Sequence, residues 1–456
     1  MKISELPYYS NSEKLFSFVA DEQWAIFLDS GFPYIDTGRY DIIVSRPLIT
    51  LETFGKKTYI KSSVTKITSE DDPFYLVRKY LGDKNDSLSK LPFCGGALGY
   101  FSYDLSRRLE KFIDKPKNNL DMPDMSIGIY DWAVIIDHHV NRSWLVSSYR
   151  FDETELIWQD LHDLFSATPI DMEKNFKITT EIKSNLSKNQ YGKSFERIRD
   201  YIRDGDCYQV NFSQQFSAEF EGDTWAAYKE LRKFNSAPFS AYINLPSGSI
   251  LSSSPERFLS LTGTQVETKP IKGTKHRSVF AYEDKELAVS LLKSEKDRAE
   301  NLMIVDLLRN DISKSCEIGS VSVPKLFSLE SFSSVHHLVS TISGTLSKNK
   351  DAIDLIRGCF PGGSITGAPK LRSMEIIDEL EPHRRSIYCG SIAYIGFDGN
   401  MDSNICIRTL IYCKNKIYFF VGGGIVWDST IDSEYKECFD KVSTILKIFK
   451  KRYLID

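Results

Sequence analysis

The order in which strand-like and helix-like segments follow one another limits the fold of this chain more than any other feature. Up to about residue 165, short apolar runs end at turn residues. Trp24-Ala-Ile-Phe-Leu28 stops at Asp29-Ser-Gly31, Asp41-Ile-Ile-Val44 before Arg46-Pro47, and Trp132-Ala-Val-Ile-Ile136 at Asp137-His-His139. Such runs predict strands. Helical periodicity appears at 194–204, with Phe195, Ile198, Tyr201 and Ile202 on one face, and one long helix is expected within 283–314. It returns over 432–449, where apolar residues fall at 435, 438, 439, 442, 445, 446 and 449. The apolar runs Gly390-Ser-Ile-Ala-Tyr-Ile395, Ile405-Cys-Ile-Arg-Thr-Leu-Ile411 and Ile417-Tyr-Phe-Phe-Val421 surround these helices. The pattern is mixed rather than a regular strand–helix alternation, so an α+β fold is expected and not a doubly wound parallel sheet. The polar, weakly patterned stretch 168–189 is the candidate linker between an N-terminal region, 1–167, and a C-terminal region, 185–456.

Composition removes several classes of function. With 456 residues, 41% hydrophobic and 26% charged, the chain reads as an ordinary globular protein. A net charge of −4 argues against a nucleic-acid binder, and the basic run Lys447-Ile-Phe-Lys-Lys-Arg452 suits a helix C-terminus. The eight cysteines are scattered with no Cys-x-x-Cys pair, as for reduced thiols in the cytoplasm. No apolar run approaches the roughly 18 residues of a membrane span, and the N-terminus lacks the apolar core of a signal peptide.

Several residues carry chemistry, each with an ordinary alternative. Lys272 lies in Pro270-Ile-Lys-Gly-Thr274, where proline fixes φ and glycine permits a reversal. It is either a surface lysine in a turn or a positioned amine nucleophile. Asp297 with Glu300, and Glu434 with Glu437, are spaced to share helix faces. Glu300 also shares its face with Met303, Ile304 and Leu307, where an unpaired carboxylate costs several kcal/mol. The four are either solvated acids paired with Arg298 and Lys441 or oxygen ligands suited to Mg²⁺. Gly422, Gly423 and Gly424, after an apolar strand, are either a tight turn or an amide cradle for an anion. The same choice holds for Phe360-Pro-Gly-Gly-Ser-Ile-Thr-Gly-Ala-Pro-Lys370; neither glycine segment has dinucleotide or Walker spacing. Arg408 reads as a mid-strand arginine that meets a buried anion or marks a sheet edge. Glu256, in Ser254-Pro-Glu-Arg-Phe258, is a general acid or a partner of Arg257.

Together these segments resemble the chorismate-utilising enzymes, which include the anthranilate, isochorismate and salicylate synthases. The matching stretches run in family order: Gly205-Asp-Cys-Tyr-Gln-Val-Asn211, Ser254–Phe258, Pro270–Thr274, Glu295-Lys-Asp-Arg-Ala-Glu-Asn301, Ile304-Val-Asp-Leu-Leu-Arg-Asn-Asp311, His337-Leu-Val-Ser340, Pro361–Lys370, Gly422-Gly-Gly-Ile-Val-Trp-Asp-Ser429 and Glu434-Tyr-Lys-Glu437. Phe93-Cys-Gly-Gly-Ala-Leu-Gly-Tyr100 and Tyr103-Asp104 extend the resemblance into the N-terminal half. It implies large antiparallel sheets in a sandwich flanked by helices, with the two regions interwoven in one unit.

Two positions choose the reaction that the resemblance implies. Members that add water carry a lysine base where this chain has Gln209, and members that make anthranilate have alanine at the position of Lys272. Lys272 resembles the lysine of the branch that makes 4-amino-4-deoxychorismate for 4-aminobenzoate and folate. The implied mechanism holds Mg²⁺ directly on Glu300 and Glu437, with Asp297 and Glu434 acting through water, against the ring carboxylate of chorismate. Lys272 attacks C2 while Glu256 protonates the departing C4 hydroxyl; ammonia then adds at C4 and expels the lysine. Tyr388, Arg408 and Gly422, Gly423 and Gly424 are the implied binders of the enolpyruvyl carboxylate, and Thr274, His337, Thr366 and Lys441 complete the pocket. No Gly-x-Cys-x-Gly or His-x-Glu glutaminase signature is present, so ammonia is expected from a separate glutamine amidotransferase subunit. A tryptophan pocket is implied at Ser30, Thr37, Gly38, Arg39, Tyr40, Pro238, Phe239 and Ser240. Gln215, Lys269 and His276 depart from the family pattern without touching metal or nucleophile positions. The competing expectations are an anthranilate-forming component of tryptophan biosynthesis and a non-catalytic, tryptophan-binding partner of an amidotransferase.

Overall fold

In a computed structural model, which describes residues 1–85, 91–169, 174–331 and 335–451, strands from both regions interleave in two antiparallel sheets. The first has 13 strands among the described residues. Its central run passes through Trp132–Asp137, Tyr40–Val44, Ala25–Asp29, Phe239–Leu245, Gly248–Ser254, Thr409–Cys413, Lys416–Ile425 and Gln209–Gly222. The second has 12, running from Ile271–His276 and Val335–Thr345 through Arg257–Thr262, Met401–Asn404 and Ser391–Gly396 to Gly96–Phe101 and Met125–Tyr130.

Strand alternation explains how one sheet serves two cores. In Ala25–Asp29, Ile26 points into a core shared with Leu98, Ile127, Leu259 and Ile392 of the second sheet. Ala25 and Phe27 point the other way, into a core covered by helices. Those helices are Lys188–Arg203, Thr224–Phe234 and Ile431–Lys451, which bury Phe195 and Ile198, Trp225 and Tyr228, and Val442 and Ile445. The arrangement is the expected α+β sandwich. Among the described residues no helix is long and apolar enough to cross a membrane, and the eight cysteines are buried and form no disulfide.

Three sequence expectations change. The 168–189 stretch is not a plain linker: Phe176–Ile178 and Lys183–Ser184 pair with Gln209–Gly222, and a helix begins at Lys188. Strands of two and three residues are too short to carry a readable period. Residues 170–173 of that stretch, and Arg452 of the basic run, lie outside the described residues. The 283–314 segment holds two helices, Ala281–Lys293 and Glu295–Ser313, divided at Ser294, whose hydroxyl caps the second by accepting from Asp297 N. The 405–411 run is not one strand. Met401–Asn404 belongs to the second sheet and Thr409–Cys413 to the first, so the chain crosses between sheets with Arg408 at φ +51°.

Candidate active site

Lys272 lies on the second sheet, opposite Leu338, and the pairing register breaks between Lys272 and Thr274. The expected turn is therefore a bulge inside a strand. Gly273 makes it: φ is +77°, and a Cβ there would stand 2.9 Å from Asp297 Cγ and from Leu291 Cδ1. Lys272 Nζ donates to Ser364 O at 3.2 Å. Burial lowers its pKa, with Lys441 adding to the effect, against the charges of Glu300, Glu256 and Glu437. A turn lysine in water would show no such lowering; this amine is biased toward its neutral, nucleophilic form.

Glu256 follows the Gly248–Ser254 strand and is 5% exposed. Arg257 does not pair with it, because successive residues face opposite ways and Arg257 binds Asp402 and Glu267 instead, at 2.9 and 3.0 Å. Burial raises the Glu256 pKa to about 7, opposed by a hydrogen bond with Ser364 and the Lys272 charge. An acid of this strength is half protonated near neutrality, which suits a proton donor.

The four predicted carboxylates converge from two helices. Asp297 and Glu300 lie on Glu295–Ser313, Glu434 and Glu437 on Ile431–Lys451. Lys296 Nζ stands 3.9 Å from Glu300 and 3.7 Å from Glu434, and its charge is felt by Glu437 and Asp297 as well. Ser429 donates to Glu434 at 2.7 Å, and Lys441 Nζ lies 2.7 Å from Glu437 and 2.9 Å from Gly422 O. Burial raises the pKa of both Glu300 and Glu434. Burial also pushes Glu437 upward, but Lys441, Lys296 and Lys272 outweigh it and hold that carboxyl low. Among the described residues no three acid, histidine or cysteine side chains close on one point as a formed metal site. The donor chemistry nevertheless fits Mg²⁺: carboxylate oxygens from two helices, with Glu434 buried, Glu300 half-buried and Lys296 between the two. Gly423 lets the carboxylate approach the strand closely, since a Cβ there would lie 3.1 Å from Glu434 Oε2.

The pocket walls come from both sheets. Gly422, Gly423 and Gly424 are not a loop; they extend the Lys416–Ile425 strand and pair with Ser213, Phe212 and Asn211. Their other edge lies beyond the last pair of the neighbouring strand, Leu410 with Phe419, so amides there are available to a ligand. Gln209 is buried, with no hydrogen-bond partner for Oε1, and its amide would collide with any side chain at Gly424. Thr366 is buried and its hydroxyl donates to Gly362 O and Gly363 O. Tyr388 stacks on Phe420 at 5.4 Å. Thr274 Oγ1 and His337 Nδ1 are 2.9 Å apart across the strand pair, and burial and Arg408 push His337 down to about 4. Arg408 itself meets no carboxylate among the described residues, and burial lowers its pKa. Its position at a sheet crossover, rather than mid-strand, leaves the guanidinium open to an anion.

The second predicted group gathers elsewhere on the first sheet. Ser240 pairs with Asp29, next to Ser30, and a Cβ on Gly38 would lie 2.8 Å from Ser30 O. Ser30 donates to Asp41, Arg39 is held by Asp137 and stacks over Tyr40, and Phe239 packs on Arg257. Thr37 is exposed and Pro238 half-buried. Sequence reasoning missed Ser364, which contacts both Lys272 and Glu256, and Lys296. The signals were present: Ser364 lies within the quoted glycine-rich motif, and Lys296 is four residues before Glu300.

The sequence profile of a family described as chorismate binding enzyme matches residues 36–447. The chain is 47% identical over 444 residues to aminodeoxychorismate synthase component 1 of Escherichia coli (strain K12), covering 96% of each. It is 35% identical over 434 residues to anthranilate synthase component 1 of Acetivibrio thermocellus, covering 91% of this chain and 87% of the other. The crystal structure of anthranilate synthase component I from Streptococcus pneumoniae TIGR4 superposes with a TM-score of 0.80 at 32% identity, over 90% of this chain and 92% of that one.

Proposed function

The chain belongs to the chorismate-binding enzymes, and we propose that it converts chorismate and ammonia to 4-amino-4-deoxychorismate, the precursor of 4-aminobenzoate. The observation that carries this reading is the buried amine of Lys272 against Ser364 O, beside a Glu256 carboxyl raised to about 7. Lys272 Nζ forms a bond to C2 as the ring double bonds shift and the C4–O bond breaks. Glu256 supplies the proton that leaves with that oxygen as water. Ammonia then bonds to C4, the C2–N bond breaks, and Glu256 takes up the surplus proton. Glu300 and Glu437, with Asp297 and Glu434, would hold Mg²⁺, which when bound would supply positive charge for the ring carboxylate. Arg408, Tyr388 and the Gly422–Gly424 backbone orient the enolpyruvyl carboxylate, while Gln209, which cannot take up a proton, leaves water unactivated.

Ammonia comes from a glutamine amidotransferase subunit, in keeping with the "component 1" of the E. coli relative's name. The cytoplasm suits the eight reduced thiols. Incubating the purified chain with chorismate, Mg²⁺ and an ammonium salt should yield an amine that an added lyase converts to 4-aminobenzoate. Fluorescent anthranilate formed without a lyase would contradict the proposal.

A further inference from the structure

The glycine-rich segment from Pro361 to Lys370 is held by its backbone carbonyls. Lys370 Nζ donates to Cys359 O at 2.9 Å and to Pro361 O at 3.0 Å, with Asp311 as its counter-ion. The Thr366 hydroxyl donates to Gly362 O and Gly363 O, Arg385 Nη1 to Ile365 O at 3.0 Å, and Asn211 N to Thr366 O at 2.8 Å. Buried carbonyls need such donors. Each one from 361 to 366 has a donor, and at the buried Ser364 that donor is the Lys272 amine, at 3.2 Å.

The same turn is wedged between two parts of the pocket. A Cβ on Gly362 would stand 2.7 Å from Ile405 Cδ1 and 3.4 Å from Phe258 Cε2, and one on Gly363 would stand 2.7 Å from Leu307 Cδ2. The bare backbone therefore rests on Phe258 and Ile405 on one side and on the Glu295–Ser313 helix on the other. Ile405 N donates to Glu256 O at 3.0 Å, so the turn sits directly on the residues that hold that acid. The Ser364 hydroxyl hydrogen-bonds the Glu256 carboxyl. Besides Lys272, Glu256 is faced by Cys389, whose thiol is pushed by burial up to about 12. Lys272 in turn faces Glu300, Glu437 and Lys441.

We propose that Ser364 is the positioning residue of the first chemical step, its carbonyl orienting the Lys272 amine and its hydroxyl orienting the Glu256 carboxyl; the inference rests on the amination proposed above. A neutral amine has two N–H bonds and one lone pair. Donating one N–H to a fixed carbonyl stops rotation about the Cε–Nζ bond and holds the lone pair in one direction. The hydroxyl donates to the carboxylate that remains when the Glu256 proton has gone to the leaving oxygen, and so stabilises the charge that develops there. Because both contacts belong to one residue of a pinned turn, nucleophile and proton donor keep one spacing while the C–N bond forms and the C–O bond breaks.

The test follows the covalent adduct formed by the full chain with chorismate and Mg²⁺, without ammonia, by mass spectrometry of quenched time points across a pH series. Rates are taken per folded molecule, checked by circular dichroism. Ser364→Ala removes one oxygen and no backbone contact, and should slow adduct formation about 10²-fold. It should also move the Glu256 limb of the pH profile upward by about one pH unit, since a donor to the carboxylate is lost. The Lys272 limb should stay, because the carbonyl remains. Ser364→Thr, which restores a hydroxyl, should return the Glu256 limb to its wild-type position. A Ser364→Ala profile with both limbs in place, however slow the variant, makes the role structural and overturns the proposal. A Ser364→Thr limb displaced as far as that of Ser364→Ala also counts against it. A wild type that forms no adduct refutes the covalent amination itself.

Discussion

Replacing Glu256 by Gln separates catalysis from stability in opposite directions. The folded chain raises this carboxyl from an ordinary 4.5 to about 7, which disfavours the carboxylate by about 3 kcal/mol at 1.36 kcal/mol per pH unit. Between those two values the folded state keeps a proton that the unfolded state has released. The stabilising contribution of the neutral acid is therefore complete below about 4.5 and is lost as pH rises through about 7. Glutamine has the same shape and cannot ionise. Glu256→Gln should thus match the wild type in denaturant unfolding at about pH 4 and exceed it by up to about 3 kcal/mol at about pH 8. The same variant loses the proton donor, so its rate should fall about 10²- to 10⁴-fold. A variant no more stable than the wild type at pH 8 would refute the reading of Glu256 as a buried acid held neutral by desolvation, whatever its activity.

Gly273→Ala must place a Cβ against Asp297 at φ +77°; it should cost about 1–3 kcal/mol in thermal or denaturant unfolding and reduce turnover by misplacing Lys272. Glu437→Gln should weaken Mg²⁺ or Mn²⁺ binding by calorimetry or spin-resonance titration while leaving the secondary structure unchanged by circular dichroism. Arg232 is fully buried against Asp29 at 2.7 Å, so Arg232→Met should destabilise the chain by about 3–5 kcal/mol in denaturant titration, with the ammonium-supported rate per folded molecule unaltered.

The strands at 25–28, 41–44 and 132–136 and the helix at 432–449 were legible because each holds a period over several residues. What failed did so for local reasons. The apolar residues around Arg408 continue the strand pattern through a backbone that turns left-handed and changes sheets, and a period-2 pattern carries no record of that. The three glycines from 422 to 424 read as a loop by composition, yet their lack of side chains is what lets Gln209 and Glu434 press against a strand. Lys272, Glu256 and the four acids were legible only as family motifs, since residues spread from 256 to 437 meet through two sheets and two helices. The Arg232–Asp29 pair had no signal at all, being 203 residues apart in sequence.

The central claim is that the Lys272 amine bonds to the ring before ammonia does. Intact-protein mass spectrometry after mixing the chain with chorismate and Mg²⁺, without ammonia, tests it directly. The expected result is an adduct of chorismate less water on the wild-type chain, mapped to Lys272, discharged by added ammonium and absent from Lys272→Ala. An identical adduct on Lys272→Ala, or full ammonium-dependent turnover by that variant, would contradict it.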